Sequence, residues 1–168
     1  MDVKKKNNVF QIKSIGVINS NEEEGDFSLL IDEDIRPALK HLDDFNHVLV
    51  FWWADKMDNE KSRKILTADL PYAKGIKAGV FACRSEYRPN PIAMSICNII
   101  NIDEKKGIIQ LDYIEAFDGT PIIDLKPYIP INDRVKNVKV AEWFKEWPEW
   151  REDAGEFFME HGAELFGE

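Results

Sequence analysis

Apolar residues fall mainly into short runs and alternations along the chain, with one helical stripe at its end. His47 to Ala54 (HVLVFWWA) is a continuous apolar stretch of strand length. That is the pattern of a strand buried on both faces, and it predicts a central strand. Ile92 to Ile102 alternates Ile92, Met94, Ile96, Asn98, Ile100 and Ile102 against Ala93, Ser95, Cys97, Ile99 and Asn101. A polar turn follows at Asp103 to Gly107 (DEKKG) and then Ile108 to Ile114, so the region reads as a β-hairpin. Val9 to Ile18 (VFQIKSIGVI) is rich in β-branched residues, and its alternation slips near Gly16, which predicts a first strand with a bulge or bend. Gly79 to Cys83 and Pro121 to Leu125 read as further short strands.

The connections are equally patterned. Glu22 to Asp26 is an acidic turn, and Asp34 and Pro37 are placed to cap and open a short helix near residues 36 to 42. Residues 55 to 78 are too long for a plain hairpin loop and predict a functional loop or a local helix. Six or seven short strands at intervals of about 10 residues favour a small closed β-barrel, in a mainly β (α+β) fold, over alternating βαβ units. The last segment differs. Pro148 opens a stretch in which Trp150, Ala154, Phe157, Phe158, His161 and Leu165 recur at helical spacing, predicting one amphipathic helix whose aromatics contact the barrel. The expected organisation is a barrel domain over residues 1–140, with an acidic aromatic C-terminal helix over 141–168 packed on it.

Length and charge refine this picture. With 168 residues the chain is large enough to enclose one core without disulfide or metal staples. The formal charge of −9 excludes a uniformly basic nucleic-acid coat. Residues 141 to 168 carry nine acids against Lys145 and Arg151, so most of the negative charge sits there, while Lys56 to Arg88 holds eight bases against four acids. A local basic face therefore remains compatible with an RNA substrate. The longest purely apolar run, Val48 to Ala54, is far short of the roughly 20 residues that span a bilayer. The N-terminus has basic residues without an apolar stretch after them, so no secretory signal is read and the cytoplasm is the expected location. Cys83 and Cys97 read as packed thiols, and His41, His47 and His161 show no ligand spacing, so no metal is expected.

Two segments carry candidate chemistry. In GVFACRSEYRPNPIAMS (Gly79 to Ser95), Arg84 and Arg88 stand four apart in a turn ending in Pro89-Asn90-Pro91. Proline fixes its own φ and restricts the residue before it, so the loop is stiff. A stiff loop presenting two guanidiniums and an amide suits a carboxylate or phosphate; the alternative is a structural turn with exposed arginines. In FDGTPIIDLKPYIP (Phe117 to Pro130), Asp118-Gly119 forms a tight turn, and Asp124 and Lys126 are spaced to pair at a barrel rim. The chain has no GxGxxG after a strand, no GxxxxGK[ST] and no GxSxG, and no Ser-His-Asp or Cys-His set can be assembled from spacing.

Together, GVFACRSEYRPNPIAMS and DGTPIIDLKPYIP resemble the paired signature of the TrmO (YaeB, TsaA-like) family, in which the first segment commonly reads GVFATRSPxRPNPIGLS. The likeness runs over about residues 9 to 135, including FNHVLVFWWADK. It implies a small β-barrel methyltransferase that uses S-adenosylmethionine without a Rossmann sheet, as a homodimer, and methylates the exocyclic nitrogen of threonylcarbamoyladenosine in tRNA. By position, Arg84 matches the family's cofactor-contacting arginine and Met94 the apolar residue on the adenosine. Asp55 and Lys56 stand where the family usually has His-Gln, and Glu115, Ala116, Phe117 and Asp118 where cofactor contacts meet DGTP. Arg88, Asn90, Thr120 and Lys126 match signature positions with substrate or loop-shaping roles; the resemblance assigns no catalytic residue. The chain departs from the family in NSNEEEGDFSLLIDEDIRPAL, which stands in place of an RQPG-type segment, and in an expected lack of the C-terminal domain of longer members. These departures keep two alternatives open: a methyltransferase for a small molecule or protein, and a non-catalytic S-adenosylmethionine sensor.

Overall fold

The computed structural model describes residues 8–166. The basic N-terminal stretch up to Asn7 and the last two residues of the expected helix, Gly167 and Glu168, lie outside them. Eight strands are formed: β1 (Gly16–Asn21), β2 (Asp26–Ile31), β3 (His47–Trp53), β4 (Thr67–Asp69), β5 (Lys77–Gly79), β6 (Ile92–Asp103), β7 (Ile108–Leu111) and β8 (Pro121–Pro127). Six close into a barrel in the order β1-β2-β7-β6-β3-β8, while β4 and β5 pair in a separate two-stranded sheet.

The barrel follows from period-two side-chain alternation. Phe27, Leu29 and Ile31 of β2 are buried, as are Val48, Val50 and Trp52 of β3 and Ser95 and Cys97 of β6. Trp52 pairs across the strands with Ala93 and Val50 with Ser95, and the indole Nε1 of Trp52 donates to Ser95 Oγ at 2.9 Å. The indole and the hydroxyl thus satisfy each other inside the barrel. β3 pairs with β6 on one side and β8 on the other, as every strand of a closed barrel has two neighbours, and on its outward face Leu49 is buried while His47, Phe51 and Trp53 are half-buried, so the apolar run is covered on that face only in part. The 12-residue β6 serves two partners, first β3 and then β7, through a register shift between Ile99 and Asn101. Closure comes from β1 against β8, where Gly16 faces Ile122 and Val17 faces Pro121.

Several elements differ from their sequence patterns for local reasons. The first strand starts at Gly16 instead of Val9, and Val9 and Phe10 are 91% and 79% exposed. Its partner β2 ends at Ile31, where the chain turns away through Asp32, so residues before Ile15 find no ladder. The helix expected near 36 to 42 is two 3-10 turns, Arg36–Leu39 and Leu42–Asp44, separated by His41 in a left-handed conformation, and Asp34 does not cap. Gly79 ends a strand instead of starting one, and Val80–Ala82 is a 3-10 turn. The 55–78 connection contains the short helix α1 (Glu60–Arg63), capped by Asn59, and also the unanticipated β4–β5 ribbon. After α2 (Pro130–Asp133), the C-terminal stripe is helical only as α3 (Ala154–Phe166), because Trp150 is extended and a 3-10 turn occupies Arg151–Asp153.

The chain forms two compact units, each from two stretches: residues up to Lys56 with Ile92–Ile129, and Met57–Pro91 with residues from Pro130 onward. The first is the barrel. In the second, Leu70, Ala73 and Ala78 form a small core with Tyr72, Cys83 and Trp143 packed on it. Aromatic contacts continue from Tyr72 through Phe144 and Trp147 to Phe157 and Phe158. Among the described residues, no helix is long and apolar enough to cross a membrane.

Candidate functional site

The Arg-rich loop is built from its own backbone outward. Beyond Gly79, Arg88 folds back and its Nη2 donates to the carbonyls of Val80 at 2.7 Å and Cys83 at 3.4 Å. Pro89 and Pro91 flank an exposed Asn90, and Pro91 is itself buried. Arg63, in α1, donates from Nη1 to Pro89 O at 3.2 Å while its other nitrogens engage the Asp58 carboxylate. The hydrogen bond to Asp58 raises the Arg63 pKa further. The loop is therefore held by two guanidiniums acting on carbonyl oxygens. Arg84 is exposed and has no side-chain partner among the described residues. Of the two loop arginines, Arg88 is a strut and Arg84 is available to a ligand.

On the barrel, Met94 lies half-buried on the outer face of β6, directly across from Phe51 of β3. Asp55 and Lys56 are exposed in the 3-10 turn that follows β3. Before the Asp-Gly turn, buried Ile114 and Ala116 alternate with exposed Glu115 and Phe117. The structure brings Lys56 and Phe117 together, with the ammonium 4.2 Å from the ring centroid. Asp118 Oδ1 accepts from the Ser20 backbone N–H at 3.1 Å, and Gly119, at φ +77°, donates its N–H to Ile18 O at 2.8 Å. Thr120 is buried, and its backbone N–H donates to Phe117 O at 3.2 Å. Asp118 and Thr120 thus tie the turn to β1. Lys126 pairs with Asp124 at 2.6 Å, as their spacing allows, and stands 5.8 Å from the Phe51 ring. Burial, with the carboxylates of Glu115 and Glu22 nearby, pushes the Tyr113 hydroxyl above the ordinary tyrosine range.

Arg84, Arg88 and Asn90 therefore share one loop of the second unit, whereas Met94, Lys56, Phe117 and their neighbours belong to the barrel. Sequence reading missed Arg63, which acts on a carbonyl 26 residues away and has no spacing to betray it. It also missed Phe51, whose strand partnership with Met94 could be found only from the register of β3 against β6.

A family model described as the tRNA-methyltransferase O N-terminal domain matches residues 15–134. An S-adenosyl-L-methionine-binding protein of Archaeoglobus fulgidus is 29% identical over 76% of this chain and 96% of its own length. A tRNA (adenine(37)-N6)-methyltransferase of Escherichia coli is 28% identical over 79% of this chain and 63% of its own. Against another Archaeoglobus fulgidus relative the chain spans 38% of the length. A TrmO crystal structure from Pseudomonas aeruginosa has a TM-score of 0.65, covering 96% of this chain and 76% of that one at 24% identity, a likeness of fold.

Proposed function

The chain belongs to the tRNA-methyltransferase O N-terminal domain family, and from that premise we propose that it is an S-adenosylmethionine-dependent methyltransferase acting on the exocyclic nitrogen of threonylcarbamoyladenosine in tRNA. The observation that carries this reading is the division of labour in the signature loop. Arg88 is committed to the carbonyls of Val80 and Cys83, and Arg84 is left as an exposed guanidinium on a braced backbone. Each unit taken by itself carries chemistry that suits the cofactor: the loop of the second unit a guanidinium for its carboxylate, and the barrel an apolar pair in Met94 and Phe51 and an aromatic face at Phe117 that already holds a cation. When bound, the cofactor supplies an electrophilic methyl group on a positively charged sulfur.

In this reading Arg84 holds the carboxylate through paired N–H donors in fixed geometry, and little ordering cost remains because the loop is already stiff. Met94 packs on the adenosine. The exposed segment Glu115 to Phe117 offers backbone groups beside the turn fixed by Asp118 and Thr120. Alignment and water exclusion are what such a displacement asks of the protein. The reading also takes tRNA and a second copy of the chain as partners, and the cytoplasm as its location.

Titration calorimetry with S-adenosylmethionine tests the cofactor role: the wild type binds, and a folded Arg84→Ala variant loses most of its affinity. Unchanged binding would reject the role of Arg84. Methyl incorporation into tRNA with and without threonylcarbamoylation tests the acceptor, and labelling that ignores the modification would reject it. The exposed acidic turn at Glu22 to Glu24 favours the other acceptor class, a small molecule or protein; labelling of a metabolite or protein pool with none in tRNA would establish that reading instead.

A further inference from the structure

Phe117 is a large apolar side chain left 59% exposed on an anchored piece of backbone. Ile114 and Ala116 are buried before it, the Thr120 N–H binds its carbonyl, and Gly119 and Asp118 are both tied to β1. The ring is consequently presented outward by a segment that cannot easily turn it inward. What covers it is a cation. The Lys56 ammonium stands 4.2 Å from its centroid, although Asp55 is its sequence neighbour, and Lys56 has no carboxylate partner among the described residues. A ring face carries negative charge and attracts cations, most strongly those that give up little hydration on contact. Lysine ammonium is compact and strongly hydrated, on a flexible stem. It is therefore a readily displaced occupant of this face, and an alkylated, weakly hydrated cation is a better one.

We propose that the Phe117 ring receives the positively charged sulfur of S-adenosylmethionine, displacing Lys56, and so makes the site prefer the charged cofactor over its neutral product. This rests on the cofactor reading above. Loss of the methyl group leaves an uncharged thioether, which has no claim on the ring face; Lys56 then returns to it. The pair would thus set which state of the cofactor is retained and which is released.

The test compares the dissociation constants of three compounds by calorimetry: S-adenosylmethionine, its thioether product S-adenosylhomocysteine, and sinefungin, which carries an amine near the position of the sulfonium. Phe117→Leu is expected to weaken S-adenosylmethionine by about 2- to 30-fold, to weaken sinefungin, whose primary ammonium is more strongly hydrated, by less, and to leave the thioether within about twofold. Phe117→Trp is expected to restore the preference, and Lys56→Met to tighten S-adenosylmethionine by removing the competing ammonium. Equal losses for all three ligands in Phe117→Leu, or no loss for any, would overturn the proposal while leaving the cofactor reading intact. Failure of the wild type to bind any of the three would overturn both. Phe117 is exposed, so the variants are expected to fold, and circular dichroism checks that they do.

Discussion

Arg88 closes the signature loop on itself, so removing it leaves the carbonyls of Val80 and Cys83 without their charged donor. Hydrogen bonds to charged groups contribute about 1.5–3 kcal/mol each, with partly exposed ones at the low end. Arg88→Ala is therefore expected to lower stability by about 1–3 kcal/mol and to weaken S-adenosylmethionine binding through disorder of the loop. Arg84→Ala should weaken binding with the melting temperature unchanged. Scanning calorimetry alongside ligand titration separates the two, and a large loss of stability in Arg84→Ala would contradict the assignment. The four-residue spacing marked both arginines, but it could not tell strut from ligand group, because that depends on which one reaches the backbone of Val80. At the β6–β7 hairpin, the Lys106 backbone N–H donates to Asp103 Oδ1 at 3.0 Å and, with the Lys106 ammonium, holds the carboxyl below the ordinary aspartate range. A depressed pKa contributes stability that is present above the unfolded value and is lost as pH falls through the folded value. Asp103→Asn should therefore be less stable than wild type at neutral pH, with the gap closing in acid. Urea midpoints measured down the acid range would show it; a gap that persists below both pKa values would refute the assignment.

At the scale of elements, the start of β1 depends on close backbone approach. A Cβ on Gly16 would lie 2.2 Å from the carbonyl oxygen of Leu30, which neither strand can relieve without breaking the β1–β2 ladder. Gly16→Ala is expected to cost at least about 1–3 kcal/mol, the range of overpacked sites. A Cβ on Gly162 in α3 would meet nothing within 4 Å, so Gly162→Ala should instead stabilise by up to about 1 kcal/mol through helix propensity. Chemical denaturation of the pair should show opposite signs. β3 and the β6–β7 hairpin were legible because a continuous apolar run and strict alternation each leave a mark on the sequence. The β4–β5 ribbon was not: Thr67–Asp69 and Lys77–Gly79 are three residues each and carry no period to read. The onset of α3 was misplaced because the helical spacing runs back to Trp150, which is held extended ahead of a 3-10 turn with the Arg134 guanidinium over its ring.

Across the whole molecule, Trp147 is the meeting point of segments far apart in the chain, with ring centroids 5.5 Å from Tyr72, 5.0 Å from Phe144 and 5.2 Å from Phe158. Trp147→Ala is expected to cost about 3 kcal/mol, the low end for a large aromatic because it is only half-buried. Hydrogen exchange should locate the loss: faster at the Leu70 amide bonded to Ile76, unchanged at the Ile18 amide bonded to Thr120. Equal acceleration at both would count against it. The signature motifs made the loop and the Asp-Gly turn legible, whereas the meeting of Lys56 with Phe117 was not, since it follows from the antiparallel pairing of β3 with β8 inside the closed barrel, which sets the end of β3 beside the segment before β8. That closure also decides how the protein can fail. A sheet that ends on itself offers a neighbouring molecule no unpaired strand, whereas β4 and β5 pair only with each other among the described residues and keep their outer edges open. Intermolecular strand addition, the first step towards aggregation, would begin at that ribbon, where short length and the charges of Asp69 and Lys77 are the safeguards against it.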